Sequence, residues 1–330
     1  MNQIKLFIGE MVKKWEFYLF LFFCLIVIFF STVSPYFLDY FNLMNALFSF
    51  MERGIVALPV ILVILSGEID VSLASIIALS SMSMGLGAEA GAPVFVIILL
   101  GLITGIAAGF INGIIITRLD IPAIAVTIGT MSLFRGISNA VLGAEAITSY
   151  PAEFKWIGNA TVGNTLIPLP FVVFVILASF VGVLLHKTKF GRSIFVIGNN
   201  RDVATFSGIR TRNIKLLVFM MTGLFCGIAA VFLTSRIAST RPNIAIGWEL
   251  EIITSVVLGG IAITGGKGHI GGVLIAIFLL GYLKFGLGLL NVQGKIVIIF
   301  VGFLLILAIW LPERLRTYQE SRKYRKVTTT

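Results

Sequence analysis

Long apolar runs, separated by short polar stretches, account for most of the chain. A membrane-spanning α-helix needs roughly 20 mostly apolar residues, and shorter or glycine-broken segments are tolerated where they line a cavity. The pattern therefore predicts an all-α, polytopic transmembrane helical bundle of about ten spans. The predicted spans cover residues 17–37, 47–65, 72–88, 93–117, 121–142, 168–186, 214–236, 250–264, 270–289 and 295–311.

Lys and Arg residues orient these spans. The amino end, the turn at Arg118, the loop 187–215 and the end of the chain at 314–326 are basic, and an even number of spans places all four on one side. The opposite loops 85–92 and 143–167 contain a single Lys between them. Basic loops mark the cytoplasmic side of a membrane protein. We therefore expect both termini to be cytoplasmic.

Composition indicates a membrane protein in contact with the lipid bilayer, and the distribution of basic residues fits the cytoplasmic loops of an inner-membrane protein. The 330 residues are 58% hydrophobic and 12% charged, whereas soluble domains are about half apolar and a quarter charged. The net charge of +10 resides in the cytoplasmic segments, which argues against a nucleic-acid partner. Cys24 and Cys226 lie separately in apolar runs, so no disulfide, metal site or cofactor is expected.

The longest cytoplasmic loop contains a candidate docking helix. Asn199 or Asn200 can cap it, Asp202 lies in its first turn and Gly208 can end it. Its small apolar face is too limited to bury itself, so the helix is expected to dock on another molecule. The alternative is a membrane-surface helix held by anionic lipid at about 1 kcal/mol per basic residue. The lipid-bound alternative accounts for the flanking charges, but it accounts poorly for the polar, capped centre of the helix.

Three segments carry a family resemblance: SGEIDVSLAS at 66–75, GRSIFVIGNNRDVATFSGI at 191–209 and GWELEIITSVVLGGIAITGGKGHIGG at 247–272. Together with the ten-span topology, they resemble the permease subunits of ATP-binding-cassette sugar importers. That family contains the ribose, xylose, galactoside, rhamnose and autoinducer-2 permeases. SGEID, STRPNIAIGWELE and FGLGLLNV look most like the rhamnose-type permeases, with the autoinducer-2 type close behind.

The resemblance implies a permease domain at 1–312, a coupling loop at 187–213 within it, and a basic cytoplasmic tail at 313–330. It also implies three partners: a pair of cytoplasmic ATPase subunits, an extracytoplasmic sugar-binding protein, and a second permease copy or a related permease. The residues implied to couple to the ATPase are Gly198, Asn199, Asn200, Arg201, Asp202, Ala204, Phe206, Ser207 and Gly208.

ATP hydrolysis is not expected of this chain itself, so it is not predicted to be an enzyme. The sequence has no GxxxxGK[ST] phosphate loop, and GGKGHIGG at 265–272 has the wrong spacing. The resemblance implies import of a monosaccharide by alternating access, driven by the partner ATPases. An ion-coupled secondary sugar carrier remains an alternative. Such a carrier needs intramembrane carboxylates to bind protons or sodium, and Glu68 and Asp70 are the conspicuous pair in this sequence.

Polar residues 66–72 interrupt the apolar pattern between spans 2 and 3. A charge at the centre of a lipid-facing helix costs roughly 2.5–3.5 kcal/mol, so Glu68 and Asp70 should face protein or water. A structural interpretation makes Asp70 the cap of span 3 and pairs Glu68 with a Lys or Arg. The functional interpretation places the following residues on the translocation path: Ser66, Glu68, Asp70 and Ser72.

A second interruption at 239–251 raises the same question on the outer side. Glu249 and Glu251 can serve as first-turn acids of span 8, where the helix dipole favours negative charge. The alternative assigns this surface to contact with the sugar-binding protein. The candidate residues for that contact are Arg241, Trp248, Glu249 and Glu251.

Overall fold

The computed structural model describes residues 15–304, 306 and 307. Within this range the regular structure is helical, with two isolated β-bridges, so the all-α prediction is confirmed. The predicted location of the termini and the predicted tail at 313–330 lie outside the described residues.

Thirteen helices can be delimited in the described part of the chain. They are α1 Trp15–Val33, α2 Tyr40–Leu65, α3 Leu73–Glu89, α4 Val94–Arg118, α5 Ala123–Leu142, α6 Ala152–Asn159, α7 Leu169–Lys187, α8 Lys189–Asn199, α9 Arg201–Phe206, α10 Thr211–Ile237, α11 Trp248–Leu258, α12 Ile270–Leu289 and α13 Gly294–Leu304.

Each predicted span overlaps one of these helices, although α1 ends at Val33 rather than at 37 and α2 begins at Tyr40 rather than at 47. Residues 308–311 of the last predicted span lie outside the described residues. Seven of the helices are long and apolar enough to cross a membrane, namely α1, α2, α4, α5, α7, α10 and α12, while α3 and α13 are shorter apolar helices. The prediction of span 8 was too long at its end, because α11 ends at Leu258 rather than at 264. The apolar run continues beyond Leu258, but the glycine pair Gly259–Gly260 follows and Gly260 has a φ of +91°. A positive φ cannot continue a right-handed helix.

One compact unit comprises Leu38–Ile253 and Ala262–Gly268. Its core is formed by α2 and α10, whose buried residues run along most of their length. Gly105 and Gly109 of α4 face Gly223 and Gly227 of α10, and a Cβ on any of the four would press on the facing backbone. Small residues let transmembrane helices approach closely, and the α4 glycines have this role here.

The described residues of the second unit fall within Met1–Phe37, Thr254–Ile261 and His269–Thr330. Helix α1 packs on α12, where Gly286 leaves room for the Phe30 ring. Phe30 stacks on Phe37 with ring centroids 5.4 Å apart. Trp15 Nε1 donates a hydrogen bond of 2.7 Å to the Leu258 carbonyl, which satisfies the indole N–H at a partly buried position.

Candidate functional site

Three connections meet backbone to backbone at the end of the larger unit that the charge pattern assigns to the cytoplasm. We call this contact the glycine junction: 65–67, 198–199 and 265–266. Gly266 N donates to the Leu65 carbonyl at 2.9 Å. A side chain on Gly198 would overlap Leu65 O, and a Cβ on Gly265 would lie 2.9 Å from Gly67 Cα. The end of α2 therefore touches the end of α8 without intervening side chains.

The predicted docking segment contains two helices rather than one. Helix α8 forms first, with Thr188 Oγ1 accepting from Gly191 N at 3.2 Å, and it continues through Asn199. Asn200 alone caps α9, because its side-chain oxygen accepts from Asp202 N at 2.9 Å and from Val203 N at 3.0 Å. Gly208 ends this segment with a φ of +78°, as expected.

Helix α9 exposes most of its apolar surface. Ala204 is fully buried, whereas Val203 is 53% and Phe206 92% exposed. An exposed aromatic side chain on a capped helix is a candidate anchor for a protein partner. The sequence-predicted coupling residues thus form one continuous segment, from the glycine junction to Gly208.

Asp120 connects α9 to α10 and to the turn between α4 and α5, and it was missed by the sequence analysis. It lies between α4 and α5, and its two carboxylate oxygens accept from Arg201 at 2.6 Å and from Arg212 at 3.0 Å. Arg201 opens α9, and Arg212 lies in the first turn of α10. The hydrogen bonds from Arg201 and then Arg212 hold the pKa of the Asp120 carboxyl below its ordinary value. Its signal in the sequence was a single acid in an otherwise basic turn.

Glu68 and Lys215 form an ion pair beside this bridge. The Glu68 side chain is 16% exposed and that of Lys215 is 8% exposed, so the pair is largely removed from solvent. A cavity of about 130 Å³ adjoins it and is also lined by Asp120, Arg201 and Arg212. The structural interpretation of Glu68 predicted a basic partner, and Lys215 is that partner. A role of Glu68 on the translocation path stays a prediction.

The other three path candidates are buried inside the larger unit. Ser66 and Ser72 have little or no exposed surface, and Asp70 is 1% exposed. Asp70 Oδ1 accepts from both the backbone N–H and the hydroxyl of Ser72, at 2.8 and 2.6 Å. Asp70 therefore stabilises the turn that begins α3, although Ser72 occupies the capping position itself. Asn112 of α4, which the sequence analysis missed, donates to Ser72 Oγ at 2.9 Å.

At the other end of this unit, ion pairs join α2 to the segments around the second interruption. Arg236 donates to both carboxylate oxygens of buried Glu52, at 2.7 and 2.9 Å. Arg53 lies 4.3 Å from the centre of the Trp248 ring and 3.2 Å from Glu251. Sequence reasoning missed Glu52 and Arg53, because their partners are distant in the chain.

The four predicted binding-protein contacts therefore lie in different surroundings. Trp248 and Glu251 are buried against Arg53, while Arg241 is exposed and Glu249 is half-buried. Arg241 and Trp248 both line an outer cavity of about 390 Å³. Glu249 and Glu251 lie in the first turn of α11, as the capping interpretation expected.

Hydrogen bonds also hold the outer connection 238–247 in place. Arg135 donates to the carbonyls of Pro242 and Ile244, at 2.6 and 2.8 Å. The Tyr150 hydroxyl lies 2.6 Å from Thr240 Oγ1. Burial raises the pKa of Tyr150 to about 12, so its phenol stays neutral in ordinary buffers.

Residues 42–309 match the family model described as "Branched-chain amino acid transport system / permease component". The chain is 34% identical to the ribose import permease protein RbsC of Bacillus subtilis (strain 168) over 293 residues, covering 88% of this chain and 90% of the relative. It is 38% identical to the autoinducer 2 import system permease protein LsrD of Yersinia enterocolitica over 267 residues, or 79% and 80% of the two chains. The corresponding Escherichia coli (strain K12) protein is 35% identical over 289 residues, or 86% and 87%. No solved structure matches the chain.

Proposed function

The chain belongs to the family described as branched-chain amino acid transport system / permease component, and on that premise we propose that it carries a monosaccharide or similar polyol into the cytoplasm. It is the multi-pass, non-enzymatic permease subunit of an ATP-binding-cassette importer of the inner membrane. Alternating access would open the path first to the outside and then to the cytoplasm, with energy from partner ATPase subunits.

The proposed cargo is a rhamnose-like sugar, on the wording of SGEID, STRPNIAIGWELE and FGLGLLNV. The second candidate is autoinducer-2, which the identity to the LsrD permeases favours. Residues Ser66, Glu68, Asp70 and Ser72 are proposed for the path, since hydroxyl and carboxylate groups can hydrogen-bond a polyhydroxylated cargo. A panel of labelled rhamnose, ribose and autoinducer-2, offered with the cognate binding protein, separates these cargoes by which one accumulates in vesicles.

The observation that carries the coupling proposal is the exposed apolar face of α9. Phe206 and Val203 have no covering partner among the described residues, and Arg201 ties the same helix to Asp120. We infer that this face enters a cleft of the ATPase subunit. Movement of the ATPase would then pass through the glycine junction to α2 and through Asp120 to α4, α5 and α10.

Two further partners are proposed. A sugar-binding protein would deliver the cargo at the outer end, where Arg241 and Glu249 are accessible enough to contact it and where Trp248 and Glu251 support that surface from below. A second permease copy, or a related permease, would complete the pair of transport subunits that two ATPases require.

The docking proposal is tested by Phe206→Ala, with Phe95→Ala as the matched control. Both phenylalanines are exposed, but Phe95 lies in the first turn of α4, away from the docking segment. We expect Phe206→Ala to abolish copurification with the ATPase and ATP-driven uptake, while Phe95→Ala leaves both intact. Equal copurification of the two variants would contradict the proposal.

A further inference from the structure

Glu68 and Asp70 are two residues apart but lie in different electrostatic surroundings. Glu68 has a cationic partner in Lys215. Asp70 is more deeply buried, and none of the Lys, Arg or His residues in the described part of the chain forms an ion pair with it. Of these two acids, only Asp70 therefore lacks a compensating cation among the described residues.

The hydrogen bonds of Asp70 are all on one side of its carboxyl group. Oδ1 accepts both bonds from Ser72. Oδ2 has no hydrogen-bond partner and no exposed surface, and the same holds for Oδ1 of Asn112, whose amide nitrogen bonds Ser72. Asp70, Ser72 and Asn112 thus form one buried cluster. Two oxygen acceptors in it remain without a donor, Oδ2 of Asp70 and Oδ1 of Asn112.

The helices around this cluster contribute neutral groups. Thr127 of α5 accepts from Val71 N at 3.3 Å, and Asn112 approaches from α4. From α10, the buried thiol of Cys226 interacts electrostatically with Asp70, and ionising that thiol would add a second negative charge rather than a compensating one. None of these three groups offsets a carboxylate charge.

An ionised carboxylate removed from water is strongly destabilising unless a cation or a full set of donors compensates it. Oδ2 of Asp70 has neither in the described structure. A carboxylic acid avoids the charge penalty, because it carries no net charge. A neutral Asp70 also accounts for the position of the unsatisfied oxygen, since a proton on Oδ2 leaves Oδ1 free to accept from Ser72.

We propose that Asp70 is a buried proton-binding site, whose carboxyl group holds one proton on Oδ2 in this arrangement of the helices. The carboxylate takes the proton from a hydronium ion, so that one O–H bond of hydronium breaks, one O–H bond forms on Oδ2, water is released and no oxidation state changes. An arrangement of α2 and α3 that lets water reach Asp70 releases the proton again. This site does not depend on the identity of the transported cargo.

The sequence allows a test on the unmutated protein. It contains four aspartates, and Asp39, Asp120 and Asp202 are exposed. The full chain, made with aspartate carrying ¹³C at the side-chain carboxyl and reconstituted in lipid bilayers at pH 7, is measured by solid-state NMR and infrared spectroscopy. We expect one neutral carboxylic acid signal beside three carboxylate signals. Four carboxylate signals would overturn the proposal.

Asp70→Asn assigns that signal, and Glu68→Gln is the matched control. We expect the neutral-acid signal to disappear in Asp70→Asn and to persist in Glu68→Gln, since Glu68 does not carry the ¹³C label. An amide has nearly the shape of a neutral acid, so Asp70→Asn should keep the Tm within about 5 °C of that of the unmutated protein. A Tm of Asp70→Asn lower by more than about 5 °C would contradict a neutral Asp70.

A sodium ion bound at Asp70 could neutralise the carboxylate instead of a proton. Thermal unfolding distinguishes the two cations. With a proton at Asp70, replacing potassium chloride by sodium chloride at constant ionic strength leaves the Tm of the unmutated protein unchanged. A sodium-specific rise in Tm that Asp70→Asn abolishes would replace the proton site by a cation site. The spectroscopic and thermal readouts are independent of the ATPase, so their failure is distinct from failure of the importer proposal.

Discussion

At the scale of single residues, the acidic side chains of this protein differ in whether a basic side chain pairs with them. Glu52 has Arg236, Glu68 has Lys215, and Asp120 has two arginines, whereas buried Asp70 has no cation among the described residues. A charged side chain that is removed from water inside a membrane protein must be paired, neutralised or hydrated. The transport role of Glu68 and the protonation of Asp70 are therefore separate questions.

Glu68→Gln tests the first of these questions. The substitution leaves the Lys215 ammonium largely buried without its counter-ion, and breaking such a pair costs about 3–5 kcal/mol. We expect a lower Tm and reduced uptake, with copurification of the ATPase retained. Unchanged uptake would show that Glu68 has no part in transport.

The double variant Glu68→Gln/Lys215→Met separates stability from transport. It removes both charges, so the Tm should recover relative to Glu68→Gln. Uptake that recovers together with the Tm would make the pair structural, whereas uptake that stays low would place Glu68 on the path.

Asp120 provides a prediction with a defined pH dependence. Its pKa in the folded protein is lowered by Arg201 and Arg212, so its stabilising effect is complete above the unfolded pKa of about 3.9 and is lost as pH falls through the folded value. We expect hydrogen exchange of α9 amides, corrected for intrinsic rates, to show the same protection between pH 5 and pH 8. Protection that changes across this interval would contradict the bridge.

Asp120→Asn should increase hydrogen exchange in α9 at neutral pH, with exposed Glu145→Gln as the control for loss of one surface carboxylate. High salt should have a similar effect on the unmutated protein, because the bridge is exposed and exposed ion pairs are screened.

At the scale of helices and their connections, backbone contacts determine which segments move together. The glycine junction joins α2, α8 and the turn at 262–268 with no side chain between them. A rigid contact of this kind transmits displacement better than flexible side chains do, and it explains why glycine occurs at Gly198 and Gly265.

Gly198→Ala tests this account. The new methyl group would overlap the Leu65 carbonyl and Gly266 N, both of them backbone, so the connections must separate. We expect lost assembly or a Tm lower by several degrees, because overpacking typically costs about 1–3 kcal/mol. The control is Gly129→Ala in α5, where nothing lies within 4 Å of the added carbon and a neutral or stabilising effect is expected. Equal stability of the two variants would contradict a close junction.

Sequence patterns predicted the helices well because span length and apolarity are local properties. The Asn200 cap, the Gly208 stop and the first-turn acids of α11 were also local, and each is present. The Asp120 bridge and the Glu52–Arg236 pair were missed, because their partners are 81, 92 and 184 residues away in the chain. The division of the docking segment into α8 and α9 was missed because a single residue, Asn200, separates the helices.

At the scale of the whole molecule, the ion pairs of the larger unit lie at its two ends. The end assigned to the cytoplasm holds α9, the Asp120 bridge and the Glu68–Lys215 pair. The other end holds Arg53, Trp248 and the outer cavity. Such an arrangement suits a subunit that receives cargo from one partner and force from another, which is the role of the permease in an ATP-binding-cassette importer.

The most direct test of this role is uptake into proteoliposomes that contain the permease, its ATPase subunits and a cognate binding protein. We predict that labelled cargo accumulates only with ATP on the side of the ATPase, and that Phe206→Ala abolishes accumulation. Accumulation driven by a proton or sodium gradient, with the ATPase omitted, would contradict the importer account and identify an ion-coupled carrier.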